Sequence, residues 1–156
     1  KRRPSLPPPE VVTSVDLARY TGTWYEIASY PNRFQKSCSE TSATYTLLPD
    51  GKIEVVNRCT RGGKPDSIKG TAKVVDPATN AKIKVTFFWS FSGDYWIIEL
   101  GAQYEHAVVS NPDRSYLWVL SRTPRMDEGV YAGIVERLRS KGFDIGRLAR
   151  TVQTGN

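Results

Sequence analysis

The segment ATYTLLPDGKIEVVN, residues 43–57, decides the fold class of this chain. Two runs with alternating apolar and polar side chains flank Asp50 and Gly51, a dipeptide that favours the tight turn of a β-hairpin. Successive side chains of a strand point to opposite faces, so this alternation gives each run one apolar face and one polar face. The segment therefore predicts two antiparallel strands that bury the same side.

Similar short β runs extend from this hairpin in both directions. We predict eight strands, at residues 24–30, 41–48, 52–59, 67–75, 81–89, 95–100, 105–110 and 115–121. Short loops join consecutive runs, which is the pattern of an antiparallel up-and-down sheet. Eight strands are enough to close into a barrel whose interior holds one small ligand. We therefore expect an all-β fold, an eight-stranded antiparallel up-and-down β-barrel.

The hydrophobic period changes after Pro124, from two residues to about four. An apolar residue recurs at every fourth position, at Met126, Val130, Ile134 and Leu138. This spacing predicts an amphipathic helix, and Gly142 suits the position just after its C-terminus. We expect one C-terminal α-helix packed against the outside of the barrel, followed by a short strand within residues 148–153.

Composition and charge limit the partners of the chain. Its 156 residues fit one domain, with residues 13–156 in the barrel domain and the proline-rich residues 1–12 as a flexible arm. The net charge of +6 suits nucleic acid, an anionic membrane surface or an acidic ligand. The basic residues form no compact stripe interleaved with aromatic residues, which disfavours nucleic acid. We retain a weak attraction to a membrane surface as the alternative.

The strand alternation also predicts which side chains line the barrel. The inward set is mostly apolar and aromatic, which is typical of a ligand cavity. We predict that it comprises Tyr45, Val55, Asn57, Val85, Phe87, Trp89, Tyr95, Ile97, Tyr116 and Trp118. Glu26 and Glu99 also have the inward parity, and we expect them to form a polar floor through internal hydrogen bonds rather than a catalytic pair.

Three short motifs resemble the signatures of a known family. GTWYEIA at 22–28 resembles the first lipocalin motif, G-x-W, NPD at 111–113 resembles the second, and LSR at 120–122 resembles the third. They occur in the family's order on an eight-strand pattern. The surrounding sequence is similar to that of bacterial outer-membrane lipoprotein lipocalins, with apolipoprotein D and plant temperature-induced lipocalins as relatives. The resemblance covers about residues 11–153.

The resemblance implies a structural role for Gly22, Trp24, Asp113 and Arg122. We expect Trp24 to plug the closed end of the barrel, with the Arg122 guanidinium across its indole in a cation–π contact. The resemblance also implies a binding protein rather than an enzyme. Its ligand would be a fatty acid or a lysophospholipid, it would need no cofactor or metal, and it would reside at the outer membrane or in the periplasm. The alternatives are a closed barrel that serves as a protein-interaction module and an enzyme acting on a bound lipid. We expect a monomer or a weak homodimer.

Cys38 and Cys59 are the two cysteines of the chain. Extending the hairpin register from Gly51 places Cys59 opposite about Ser42, whereas Cys38 lies in the preceding loop and can fold back. A disulfide is the favoured interpretation, and two separate buried thiols are the alternative. No histidine or lysine is placed to activate a catalytic thiol, and His106 is a single imidazole that defines neither a metal site nor a haem site.

Overall fold

The structure is a computed structural model that describes residues 6–32, 35, 37–87 and 91–154, and its strands form one antiparallel sheet. A short helix, α1 (Leu17–Tyr20), precedes the first strand, and the helix α2 (Glu128–Ser140) follows the eighth. The strands are β1 (Gly22–Ser29), β2 (Cys38–Leu47), β3 (Ile53–Arg61), β4 (Lys64–Val74), β5 (Lys82–Phe87), β6 (Phe91–Leu100), β7 (His106–Ser110), β8 (Leu117–Ser121) and β9 (Ala149–Arg150). Strand β1 pairs with both β2 and β8, which closes the sheet. The predicted eight-stranded up-and-down barrel with one C-terminal helix is confirmed.

The hairpin of β2 and β3 has the register that its sequence predicts. Tyr45 pairs with Val55, so both side chains point to the same face of the sheet. In the turn, the Asp50 carboxylate accepts a hydrogen bond from the Lys52 N–H at 3.0 Å. Gly51 has a φ of +87°, a left-handed conformation that glycine adopts without steric cost. The turn residues therefore set the register that places Tyr45 and Val55 inside the barrel.

A disulfide joins Cys38 to Cys59, with the two Cα atoms 5.5 Å apart. The sequence-based position of Cys38 in a loop is wrong, because Cys38 is the first residue of β2. The strand starts earlier than expected because it continues past an irregularity between Ser39 and Ser42, which leaves Cys38 opposite Arg61 of β3. The disulfide therefore links two strands that are already paired.

Two bulges change the alternation of side chains along the strands. The register of β1 against β8 shifts between Glu26 and Ala28, and the register of β6 against β7 shifts between Ile97 and Glu99. A bulge adds one residue to one strand, so the side chains that follow it point to the opposite face. The second bulge therefore turns Glu99 away from the face on which Ile97 lies.

Buried side chains form two clusters, one inside the barrel and one between the barrel and α2. The inner cluster includes Trp24, Tyr45, Val55, Ile83, Ile97, Val109 and Leu120. The outer cluster includes Ile27, Val108, Val119, Ile134 and Leu138. Ile134 and Leu138 of α2 are fully buried, so the helix packs on the outer wall as predicted. Val130 of the predicted stripe stays 43% exposed, whereas the next residue, Tyr131, packs against the outer cluster.

Both ends of α2 are capped. The Asp127 carboxylate accepts a hydrogen bond from the Val130 N–H at 3.1 Å, as an N-cap side chain does. At the other end, Gly142 has a φ of +89° and the Phe143 N–H donates to the Leu138 carbonyl at 3.1 Å. This is the Schellman arrangement, and it turns the chain back toward the barrel wall.

The segments that flank the barrel lie against it. Within the predicted arm, residues 6–12 contain neither helix nor strand, Pro9 is buried, and the Val12 N–H donates to a carbonyl of β6 at 3.0 Å. After α2, β9 pairs with β1 and the Thr151 N–H donates to the Ile27 carbonyl at 2.9 Å. Among the described residues, no helix is long and apolar enough to cross a bilayer.

Candidate ligand-binding site

Trp24 closes one end of the barrel, which is termed the floor. Its indole is fully buried, and its Nε1–H donates to the Tyr20 carbonyl at 2.8 Å. The guanidinium carbon of Arg122 lies 3.8 Å from the indole centroid, which is the cation–π contact expected from the sequence. The same guanidinium donates hydrogen bonds to five backbone carbonyls, those of Arg19, Tyr20, Thr21, Thr23 and Tyr104. These contacts hold α1 across the end of the barrel.

The four signature residues lie at two ends of the molecule. Gly22 has a φ of +106°, and a Cβ atom there would lie 3.1 Å from Arg122 Nη1, so the floor requires glycine at this position. Asp113 lies at the opposite end, in the loop between β7 and β8, where its Oδ1 accepts a hydrogen bond from the Ser115 N–H at 3.0 Å. Hydrogen bonding from Ser115 lowers the pKa of Asp113. Asp113 therefore shapes a loop and does not contact Trp24 or Arg122.

The walls of the barrel carry most of the predicted lining residues. Those in the inner cluster or packed against it are Tyr45, Val55, Val85, Phe87, Tyr95, Ile97 and Trp118. Asn57 is half-buried and pairs with Ala43, two residues along β3 from Val55 and therefore on the same inward face. Trp89 lies outside the described residues.

The end of the barrel opposite the floor, where β1 ends at Ser29 and β8 begins at Leu117, is termed the mouth. Tyr116 lies just before β8, and its ring stacks on Trp118 with the centroids 5.6 Å apart and the planes parallel to within 1°. This pair gives the mouth an aromatic wall. The lining that the sequence predicts thus runs from the floor, at Tyr45 and Tyr95, to the mouth.

Three tyrosines from separate elements meet above the floor. The hydroxyl oxygens of Tyr20 and Tyr95 lie 2.7 Å apart, and the Tyr45 ring stacks on that of Tyr20 with the centroids 6.0 Å apart. Burial raises the pKa of Tyr45 to about 12 and raises those of Tyr20 and Tyr95 well above their ordinary value. All three are therefore neutral hydrogen-bonding groups. A cavity of about 10 Å³ lies beside them, with Leu17 and Ile83 among its apolar lining.

Glu26 lies inside the barrel near the mouth and is only 5% exposed. Its carboxylate accepts hydrogen bonds from Gln35 Nε2 at 2.6 Å, from Ser29 Oγ at 3.1 Å and from the Thr151 hydroxyl. Gln35 Oε1 in turn accepts a hydrogen bond from Trp118 Nε1 at 2.9 Å. Three neutral donors, from β1, from the loop after it and from the segment after α2, thus bind this buried carboxyl group, which agrees with the expected internal hydrogen bonding.

The expectation that Glu99 joins Glu26 in a polar floor is wrong. The bulge in β6 turns Glu99 to the outer wall, where Arg137 of α2 binds it with contacts of 2.9 and 2.7 Å. Lys141 Nζ lies 3.8 Å and His106 Nε2 lies 3.3 Å from this carboxylate. Burial acts to raise the pKa of Glu99, but the hydrogen bonds and charge of Arg137 outweigh it and lower the pKa. Glu99 is thus an anchor for α2 rather than part of the cavity.

The comparisons with known proteins agree with this geometry. The family model of the lipocalin-like domain matches residues 15–153 of the sequence, which include all nine strands of the described chain. The chain belongs to the lipocalin family. Lipocalins are in general proteins that bind and transport small hydrophobic ligands.

Named relatives of this lipocalin come from plants, bacteria and animals. Temperature-induced lipocalin-1 of Arabidopsis thaliana is 45% identical, with 93% of this chain and 83% of that protein covered. The outer membrane lipoprotein Blc of Escherichia coli K12 is 40% identical, with 94% and 84% covered. Apolipoprotein D of Mus musculus is 32% identical, with 94% and 82% covered.

Solved lipocalin structures share the fold at low sequence identity. Insecticyanin of the tobacco hornworm Manduca sexta superposes with a TM-score of 0.77 at 19% identity, covering 96% of this chain and 87% of that one. Lobster apocrustacyanin A1 has a TM-score of 0.73 at 16% identity, covering 99% and 94%. These likenesses concern the barrel and its helix.

The lipocalin site contains residues that the sequence did not indicate. Tyr20 belongs to a four-residue helix, and its contact with Tyr95 depends on how that helix crosses the floor. Gln35 and Thr151 reach Glu26 from a loop and from the segment after α2. The signal available for Tyr20 is its position two residues before the G-x-W motif, which places it next to the floor in any barrel that Trp24 plugs.

Proposed function

We propose that this lipocalin binds a fatty acid or a lysophospholipid in its barrel and stores or carries it at the bacterial cell envelope. The observation that carries the proposal is the inward face, which is aliphatic and aromatic from Tyr45 to Trp118 and contains neutral tyrosines at its deep end. Such a lining matches the chemistry of an acyl chain. The location is supported by the bacterial relatives, which are outer membrane lipoproteins by name and are 37–40% identical.

The acyl chain supplies most of the binding free energy in this proposal. Each buried methylene contributes about 0.8 kcal/mol, so about ten of them give roughly 8 kcal/mol, which corresponds to a Kd near micromolar. The polar groups near the mouth add little, because the Glu26 carboxylate and the Gln35 amide are already hydrogen-bonded to the protein. We therefore expect the head group to stay near solvent at the mouth while the chain points toward the floor.

Binding is tested with delipidated protein that is reloaded with palmitate or with palmitoyl lysophospholipid and examined by native mass spectrometry. Displacement of a fluorescent fatty acid at micromolar protein gives the affinity. A retained lipid mass and displacement near micromolar concentration support the proposal. If neither lipid is retained and the fluorescent fatty acid does not bind, the lipid-binding function is wrong.

A pair of adjacent substitutions separates binding in the barrel from adsorption to the surface. Asn57→Trp places an indole on the inward face of β3, whereas Arg58→Trp places the same ring on the exposed, outward face of the same strand. We expect Asn57→Trp to weaken binding by at least about tenfold because the ring occupies space that the chain needs, and Arg58→Trp to leave binding unchanged. Equal effects of the two substitutions would show that the lipid binds elsewhere.

A further inference from the structure

The hydroxyl groups of Tyr20, Tyr45 and Tyr95 are a feature of the floor that the binding of an acyl chain does not explain. They come from α1, β2 and β6, three elements far apart in the sequence. Tyr20 and Tyr95 form one hydrogen bond, with their hydroxyl oxygens 2.7 Å apart. The rings of Tyr45 and Tyr95 meet edge to face with their centroids 5.8 Å apart. An apolar chain end would be received equally well by phenylalanine at these positions.

The three residues Tyr20, Tyr45 and Tyr95, termed the tyrosine cluster, carry more hydrogen-bond donors than their mutual contacts use. Each hydroxyl carries one hydrogen, so the three groups can donate three hydrogen bonds. One hydrogen bond, between Tyr20 and Tyr95, connects them, and the hydrogen bonds of the described residues include no further acceptor for these hydroxyls. At least one O–H donor is therefore left without an acceptor of its own. A buried donor without an acceptor costs free energy, and an oxygen atom placed next to it would recover that cost.

The cavity beside the tyrosine cluster has the size for that oxygen atom. Its volume of about 10 Å³ is close to the minimum that holds one water-sized group. Apart from the tyrosines and Thr21, whose hydroxyl donates to the Ala18 carbonyl at 2.8 Å, its lining is aliphatic. Leu17 and Ile83 are among these side chains. A water molecule there would have only the tyrosine hydroxyls and Thr21 as polar partners, whereas an oxygen attached to a bound chain would also be held in place by the chain itself.

The charge state of the floor selects an uncharged oxygen. The tyrosines stay protonated because burial raises their pKa values, so they supply donors and no negative charge. The positive charge of Arg122 lies against the Trp24 ring and acts on Tyr20, and it favours an electronegative atom over an ammonium group. An ionised carboxylate would lose its hydration here without contacting a cation, which makes it a poor occupant.

We infer that the deep end of the barrel receives an uncharged oxygen of the ligand. The ligand class then includes acyl chains that carry a hydroxyl or carbonyl group at the end that enters the barrel first. The inference rests on the proposed function, because the chain must enter the barrel with its head group at the mouth. Tyr45 and Tyr95 are then specificity-determining residues: they make the pocket accept an oxygenated chain end that an aliphatic pocket would reject.

The inference is tested with two acids that have the same number of non-hydrogen atoms, heptadecanoic acid and ω-hydroxypalmitic acid. The chains differ only at the far end, where one has a methyl group and the other a hydroxyl group. Their affinities are measured by displacement of a fluorescent fatty acid from wild-type protein and from the Tyr45→Phe and Tyr95→Phe variants. Tyr116→Phe, which changes a tyrosine at the mouth, is the matched control.

We expect wild-type protein to bind ω-hydroxypalmitic acid at least as tightly as heptadecanoic acid. Tyr45→Phe and Tyr95→Phe should each lower the affinity for the hydroxy acid by about fivefold to tenfold, which is the contribution of one hydrogen bond. The affinity for heptadecanoic acid should stay unchanged or rise slightly. Tyr116→Phe should not alter the ratio of the two affinities.

Two results would overturn the inference while leaving lipid binding intact. One is a wild-type affinity for the hydroxy acid more than about tenfold below that for heptadecanoic acid, which is the penalty of an unsatisfied hydroxyl. The other is an equal change of both affinities in the tyrosine variants. Failure of both acids to bind wild-type protein would instead remove the proposed function, and the inference with it. The wild-type comparison decides the matter even if a variant fails to fold.

Discussion

Replacement of Trp24 by alanine tests whether the floor of the barrel carries much of its stability. The indole is fully buried, donates to the Tyr20 carbonyl at 2.8 Å, and lies 3.8 Å from the guanidinium carbon of Arg122. Truncation of a buried aromatic residue to alanine costs about 3–5 kcal/mol. We expect the upper part of that range, because the change also leaves the Tyr20 carbonyl without the indole donor and exposes Arg122 to a new cavity.

The measurement is urea unfolding followed by circular dichroism, with thermal unfolding as a second readout. For a chain of this length each kcal/mol corresponds to about 2–4 °C, so the expected decrease in Tm is about 6–20 °C. Trp96→Ala is the matched control: Trp96 is half-buried in the outer cluster, with Lys82 Nζ 4.4 Å from its ring. Its removal opens the surface rather than an internal cavity, and we expect a cost of about 1–2 kcal/mol.

The relation between the two variants decides whether the reasoning holds. A larger loss for Trp24→Ala than for Trp96→Ala agrees with an internal plug that many contacts depend on. An unchanged unfolding midpoint for Trp24→Ala, or equal losses for the two variants, would refute the view that the indole and Arg122 hold the floor together.

Three further predictions concern the outer wall and the loops. The pKa of Glu99 is lower in the folded protein than in the unfolded chain, so its ion pair with Arg137 stabilises the fold at neutral pH. This contribution is lost as the pH falls below about 5. Glu99→Gln should therefore flatten the decrease of the free energy of unfolding between neutral and acid pH. A steeper acid decrease in that variant than in wild type would contradict the assignment. Replacement of Cys38 and Cys59 by serine should lower the free energy of unfolding by about 3 kcal/mol, because the disulfide closes a loop with a sequence separation of 21 residues. A urea midpoint equal to that of the oxidised protein would count against this prediction. Gly142→Ala should cost about 1 kcal/mol in the same assay because of the positive φ at the end of α2, and a neutral effect would show that the Schellman turn adjusts without strain.

The parts of the fold that depend on local pattern were predictable from the sequence. The alternation around Asp50 and Gly51 predicted the hairpin, and the four-residue spacing after Pro124 predicted the buried face of α2. The contact of Trp24 with Arg122 followed from the resemblance to the lipocalin signatures. Each of these three features has a short-range cause or a recognisable motif, and none of them depends on how neighbouring strands pair in detail.

The errors arise where tertiary pairing changes a local pattern. Strict alternation assigned Glu99 to the interior, but a bulge after Ile97 reverses the face, and a bulge has no reliable signal in one sequence. Cys38 was placed in a loop because the early part of β2 lacks an apolar alternation, although its pairing with β3 keeps it extended. Tyr20 and Gln35 were missed because their roles depend on side-chain contacts between distant segments.

The closure of the sheet through β1 has a consequence for how quickly the native state forms. Tyr25 of β1 pairs with Ser42 of β2, a near neighbour in the chain, and also with Ser121 of β8, roughly a hundred residues away. The seam between β1 and β8 therefore requires a long-range encounter whose entropic cost is met before its hydrogen bonds form. We expect refolding in milliseconds to seconds, as for other proteins with high contact order, and until the seam closes the unpaired edge of β1 is a site at which two chains can associate.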